Sequence, residues 1–183
     1  MVYNTFALPL HLINEIMIQR IQSVFLLILV IAMISFLFLP LWSKTNPQTN
    51  EEIVLTAFAL RAEPVAITDS TTAVTASAVD QNTMVIGGLA ILIALVALYE
   101  IFQYRNRFTQ IKLGLLNSLL LAALLGTSFY FASYVGDELV KTDRPGDYEA
   151  GFYLPVLGLI VNALANRFIK RDEDLVRSVD RLR

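Results

Sequence analysis

The chain has 183 residues, 56% of them hydrophobic, with a mean hydropathy of +0.60 and a formal net charge of −2. The apolar residues come in blocks of about 20, the length that crosses roughly 30 Å of hydrocarbon as a helix, which points to membrane spans rather than a water-soluble core. There is no cysteine, which excludes disulfides, thiolate metal sites and CxxC redox chemistry, and with them a four-helix thiol oxidase.

Residues 1–16 (MVYNTFALPLHLINEI) are apolar but interrupted by Pro9, His11, Asn14 and Glu15, and are too short and broken to span. Two readings stand side by side: an interfacial N-terminal segment, or an extension upstream of a natural start at Met17. His11 is the single histidine and has no carboxylates near it, so it reads as solvated or interfacial rather than as a ligand. The first span is expected over about 21–42, with Arg20 at its inner end and Trp42 as an interfacial residue at its outer end. Pro40 falls in its last turn, where a lost backbone hydrogen bond costs little near water. The run is too long for a signal-peptide core and lacks a small-x-small cleavage site, so it reads as retained.

Residues 43–83 form one large outer loop. It opens with the turn formers Ser43-Lys44-Thr45-Asn46-Pro47. Ile53 to Leu60 and Val65 to Val79 are rich in β-branched residues, broken at Glu63-Pro64 and Asp69-Ser70, and predict two or three short strands capping the bundle. A disordered Ser/Thr/Ala-rich loop is the alternative. The remaining spans are expected over 84–103, 112–135 and 152–169. A second outer loop, 136–151, carries the Arg144-Pro145-Gly146-Asp147 turn signal. The tail, 170–183, is highly charged.

Between the second and third spans lies the short basic link Tyr104-Arg105-Asn106-Arg107, with Lys112 behind it. Placed inside, it gives 10 of the 14 basic residues to the cytoplasmic side and 4 (Lys44, Arg61, Lys141 and Arg144) to the outside. That is the direction of the positive-inside rule, so both termini are expected in the cytoplasm.

Gly114, Ser118, Ala122 and Gly126 recur every four residues and predict a ridge of small side chains on the third helix, with Gly158 offering a matching position on the fourth. Glu100, Asn117, Asn162 and Asn166 lie within about two turns of the inner surface, and Arg167 is the expected counter-ion. Glu100 precedes Arg105 by five positions, roughly 7–8 Å along a helix axis. Two uses are open for this cluster: interhelical hydrogen-bond glue, or a proton or ion site. The tail carries an apolar stripe of Leu175, Val176, Val179 and Leu182 with opposite-charge pairs four apart. It either continues the fourth helix, lies on the anionic inner leaflet, or docks a partner.

MIQRIQSVFLLILV, LPLWS, IFQYRNRFTQIKL and FYLPVLGLIVNALANRFIKRDEDLVRSVDRLR together resemble the DUF4293 family over Met17 to Arg183. The resemblance implies a four-helix membrane protein of the Bacteroidota, in the inner membrane with its outer loops in the periplasm, and implies no activity. Residues 1–16 lie outside it. The layout is also similar to claudin-like tetraspans, without their loop cysteines, so an adhesive role does not carry over.

The sequence therefore predicts an all-α integral membrane protein: a four-transmembrane-helix bundle with a small β-rich extracytoplasmic cap, in one membrane domain over 17–183. No nucleophile–base pair, phosphate-binding loop or metal-spaced cluster appears, so neither enzyme activity nor a metal or cofactor is expected. The expected role is a non-enzymatic scaffold or accessory subunit of an inner-membrane complex. The alternative is a small transporter or ion- or proton-coupled protein using Glu100 and the nearby asparagines. Expected partners are the lipid bilayer and other membrane-protein subunits, and not nucleic acid.

Overall fold

The computed structural model of the protein describes residues 10–46, 51–64, 81–103, 106–139 and 145–180. Four long helices pack side by side. They are α1 (Leu10–Phe36), α2 (Met84–Phe102), α3 (Arg107–Leu139) and α4 (Ala150–Asp180). In α3 the regular α pattern holds to Tyr130, then passes through a π-helical turn, Phe131–Gly136, before a last α turn, Asp137–Leu139. α1 packs against α2 and α4, and α3 packs against the same two, so α1 and α3 sit on one diagonal of a square bundle.

One stripe of buried residues in each helix follows a common rule, with Val30, Ala32, Gly87 and Val161 buried beside these stripes. The members are Gln22, Leu26, Leu29, Met33 and Phe36 in α1, and Ile86, Ala90, Ile93, Ala97 and Glu100 in α2. In α3 they are Gln110, Gly114, Asn117, Leu121, Leu124 and Ser128, and in α4 Gly151, Pro155, Gly158, Asn162, Ala165 and Ile169. Steps of three and four alternate throughout, a seven-residue repeat. An average step of 3.5 falls short of the helix period of 3.6, so straight stripes would drift apart and the helices wind around one another in a left-handed sense. The faces between the stripes expose large apolar side chains, among them Leu95, Phe102, Leu115, Leu119 and Ile160. Met84–Phe102, Arg107–Leu139 and Ala150–Arg171 are long and apolar enough to cross a membrane, while the apolar part of α1, Gln22–Phe36, is shorter.

One end of the bundle carries a five-stranded antiparallel sheet, in the order β4-β3-β2-β1-β5. Its strands are β1 (Trp42–Asn46), β2 (Glu51–Leu55), β3 (Ala59–Pro64), β4 (Gln81–Asn82) and β5 (Asp147–Tyr148). The opposite end, where α2 turns into α3, is the link end. The sheet is knitted to the helices through backbone groups the helix ends leave over. The turn between β2 and β3 offers its carbonyls to the start of α2, with Gly87 N–H donating to Ala57 O (2.8 Å) and Thr83 Oγ1 to Thr56 O (3.1 Å). Gly151 N–H, at the start of α4, donates to Pro40 O (3.0 Å) just after α1.

Several expectations change here. The first helix does not run from 21 to 42. It begins by Leu10, so part of 1–16 is helical, and it ends at Phe36. Leu37 and Phe38 close it with hydrogen bonds three residues back, to Ile34 and Ser35. Pro40 has no N–H to continue the helix and pushes Leu39 toward extended backbone, so the chain leaves three residues earlier than its hydropathy suggests. Trp42 is not an interfacial residue ending a span. It lies in β1, is 3% exposed, and seats its ring against Gly136, where a Cβ would fall 2.6 Å from Cζ3. The turn formers Ser43 to Asn46 are strand, because pairing to β2 overrides their local preference. The stretch 65–80 and the link residues Tyr104 and Arg105 lie outside the described residues. The charged tail continues α4 unbroken as far as Asp180.

Candidate functional site

The stripes are apolar toward the sheet end and polar toward the link end. Gln22 opens the described stripe of α1, Glu100 closes that of α2, Gln110 and Asn117 begin that of α3, and Asn162 lies late in that of α4. All five are at most 1% exposed. A polar atom removed from water needs a hydrogen bond, and interhelical contacts supply some of these.

α3 and α4 form one half of the layer. Asn162 Nδ2 donates to Gly114 O and to Ser118 Oγ, both at 2.8 Å, and Ser118 Oγ donates in turn to Gly114 O at 3.1 Å. Asn166 lays its carboxamide over Gly114, in space that any side chain there would fill. Gly158, one turn toward the sheet end, lets Leu29, Met33 and Leu121 close over it, since a Cβ would meet the first and last at 3.0 and 3.1 Å. Gly114, Ser118, Asn162 and Asn166 thus meet as one contact, while Gly158 packs separately against Leu29, Met33 and Leu121.

The ridge does not continue as expected. Ala122 is exposed, and so is Gly126, where an added Cβ would touch nothing within 4 Å. A step of four residues overshoots a full helical turn by about 40°, so three steps from Gly114 carry Gly126 about 120° round the helix. The buried stripe instead proceeds through Asn117, Leu121 and Leu124.

α2 and α3 form the other half. Gln110 Nε2 donates to the backbone carbonyl of Glu100 at 3.3 Å, tying the two helices across the link. The Glu100 side chain is fully buried, and neither Oε1 nor Oε2 has a hydrogen-bond partner among the described residues. Gln110 Oε1, Gln22 Oε1, Asn162 Oδ1, Asn166 Oδ1 and both side-chain polar atoms of Asn117 are likewise buried without partners. Arg167 is not the counter-ion of Glu100. It follows Asn166 by one residue, about 100° around α4, and its side chain is exposed.

Gln22 and Gln110 belong to this layer although their positions near the span ends hide them in a hydropathy reading. The seven-residue repeat is the signal that finds Gln110, seven residues before Asn117. Lys44 was also unforeseen: its side chain is 2% exposed and pairs with Asp137. Among the described residues no group of three or more His, Cys, Asp or Glu is placed to hold a metal ion.

No curated protein and no solved structure matches the chain. The model of one family, described as a domain of unknown function (DUF4293), matches residues 18–182, nearly the whole chain. The protein therefore belongs to the DUF4293 family.

Proposed function

We propose that the protein is a multi-pass inner-membrane protein with both termini in the cytoplasm and its sheet outside, acting as a non-enzymatic accessory or scaffold subunit of a membrane complex. The apolar outward faces of the helices suit lipid, and the basic residues concentrate at the link end and the tail, as the positive-inside rule requires. The observation that carries the subunit reading is the length of α4. It continues 11 residues past Ile169, the last described buried member of its stripe, to Asp180. At 1.5 Å per residue that is roughly 16 Å of further helix. Its sequence places Leu175, Val176 and Val179 on one side among charges, the pattern of a helix that docks through an apolar face. The partner class is another membrane-protein subunit that reaches this cytoplasmic arm.

The test is purification of the native-level protein in mild detergent, beside a variant carrying Leu175→Asp and Val179→Asp. A stoichiometric partner that co-purifies with the wild type and is lost from a folded double variant is the expected result. A wild type that purifies alone, or a partner retained equally by the variant, counts against the reading.

A further inference from the structure

Two described ionisable side chains are buried, Lys44 and Glu100, and they are treated differently. Lys44 has Asp137 beside it, whereas Glu100 has no hydrogen-bond partner at either oxygen among the described residues. A carboxylate taken out of water without a partner calls for a compensating positive charge. By sequence, the elements packed on α2 carry five ionisable residues toward this end, His11, Glu15 and Arg20 on α1, and Arg107 and Lys112 on α3. Neither Glu100 oxygen has a hydrogen-bond partner among the described residues. Lys112 is exposed and sits 4.3 Å from the Phe108 ring centroid. On the diagonal helix, Arg167 and Lys170 are exposed as well.

The surroundings supply oxygen. Gln110 spends its amide nitrogen on the Glu100 carbonyl, which leaves Oε1 unused beside the carboxylate's own residue. Deeper in the layer, Asn117 and Asn162 hold further unused amide oxygens. Carboxylate and amide oxygens suit hard cations and protons rather than soft metals. One carboxylate balances one positive charge, so a divalent ion would leave an uncompensated charge in the bundle.

We propose that Glu100 and Gln110 form the core of a monovalent-cation site inside the bundle, taking Na⁺ or a proton, with Asn117 and Asn162 extending it toward the middle of the helices. The site goes beyond the subunit reading and stands whether or not the helical arm docks a partner. Where Na⁺ is the ligand, a proton competes for the same carboxylate, so Na⁺ binding weakens as the pH falls.

The experiment uses the full-length protein in nanodiscs of neutral lipid. Thermal unfolding is measured in NaCl and in choline chloride at equal ionic strength, and the carboxyl infrared band is followed across pH. A melting temperature raised by NaCl over choline in the wild type, with Glu100→Gln unresponsive, assigns Na⁺. Gln110→Leu should then need roughly ten times more Na⁺ for the same shift. No Na⁺ effect, but a protonated-carboxyl band that grows as the pH falls and is missing from Glu100→Gln, assigns the proton. Neither response in the wild type, or the same responses in Glu100→Gln, overturns the site. Where Glu100→Gln does not fold, Gln110→Leu decides: responses identical to the wild type in both measurements overturn it, and a weakened or shifted response supports it.

Discussion

Gly158 and Gly126 are the same residue type in adjoining helices of one bundle, yet they have opposite duties. Gly158 is a contact between three helices, where Leu29, Met33 and Leu121 converge. Gly158→Leu should cost about 1–3 kcal/mol or more, because a close-packed core has no room for added atoms. Gly126→Leu and Ala122→Leu should stay within about 0.5 kcal/mol, as substitutions on an outward face do. Unfolding of the purified variants by denaturant in detergent measures both. Equal losses at 126 and 158 would mean that the outward face of α3 is covered by another chain. The Lys44–Asp137 pair makes a second prediction at this scale. Lys44 is buried while Asp137 is half exposed, so Asp137→Ala leaves the ammonium without its partner and should cost about 1–3 kcal/mol. Adding Lys44→Met removes the stranded charge, so the double variant should regain most of that stability. A double variant as unstable as the single one would show that Asp137 acts through the backbone of α3 instead.

At the scale of elements, the π-helical turn of α3 has an identifiable purpose. The buried stripe steps through Leu121, Leu124 and Ser128, so an uninterrupted helix would next bury Phe131 and Val135. Ala132 and Gly136 are buried instead, each one residue late. A π turn accommodates one extra residue in a helix, and that residue is the delay. It turns Gly136 to the ring of Trp42 and brings Asp137 to Lys44. Deleting Tyr134, an exposed residue of this turn, should remove the extra residue, restore regular α-helix and leave Gly136 and Asp137 facing Trp42 and Lys44. The expected outcome is a retained Lys44 pair and a melting temperature close to the parent's, with helix content unchanged by circular dichroism. A deletion variant that loses the Lys44 pair or melts far below the parent would show that the turn does more than absorb one residue.

The same element explains what the sequence discloses and what it hides. α2 is legible almost to the residue, 84–103 expected against Met84–Phe102 found, because an unbroken apolar run has only one reading. The polar ends of the stripes are legible as residues but not as partners. Glu100 and Asn162 stand out in apolar runs, while Arg167 looks like a counter-ion until the helical phase turns it outward. The small-residue ridge fails because a period of four and a period of three-and-a-half agree over one turn and diverge over three. β1 is hidden for a different reason: it pairs with β2 beside it and with β5, more than 100 residues away in the chain, at Trp42–Tyr148. No local pattern in Ser43 to Asn46 encodes that pairing.

For the whole molecule, the sheet is a strap across one end of the bundle. β1 continues from α1, β4 leads into α2 through Thr83, and β5 precedes α4, so the sheet links three helices at that end. α3 joins by side chains, with Ser133 Oγ 3.1 Å from Tyr148 OH and Asp137 on Lys44. Tyr148 also lies against Phe152 of α4 at 4.4 Å between ring centroids. The link end has no such strap among the described residues. This asymmetry gives the orientation its meaning. In the proposed orientation the sheet lies in water, and the basic link and charged tail lie on the side that retains Lys and Arg during insertion. A reporter active only in the cytoplasm should therefore work when fused after Arg183 or inserted beside Asn106, and should fail near Thr72. Activity near Thr72 would invert the bundle and place the Glu100 layer near the outer surface. In that case the C-terminal end of α4 would face the outside, beyond the reach of any cytoplasmic partner.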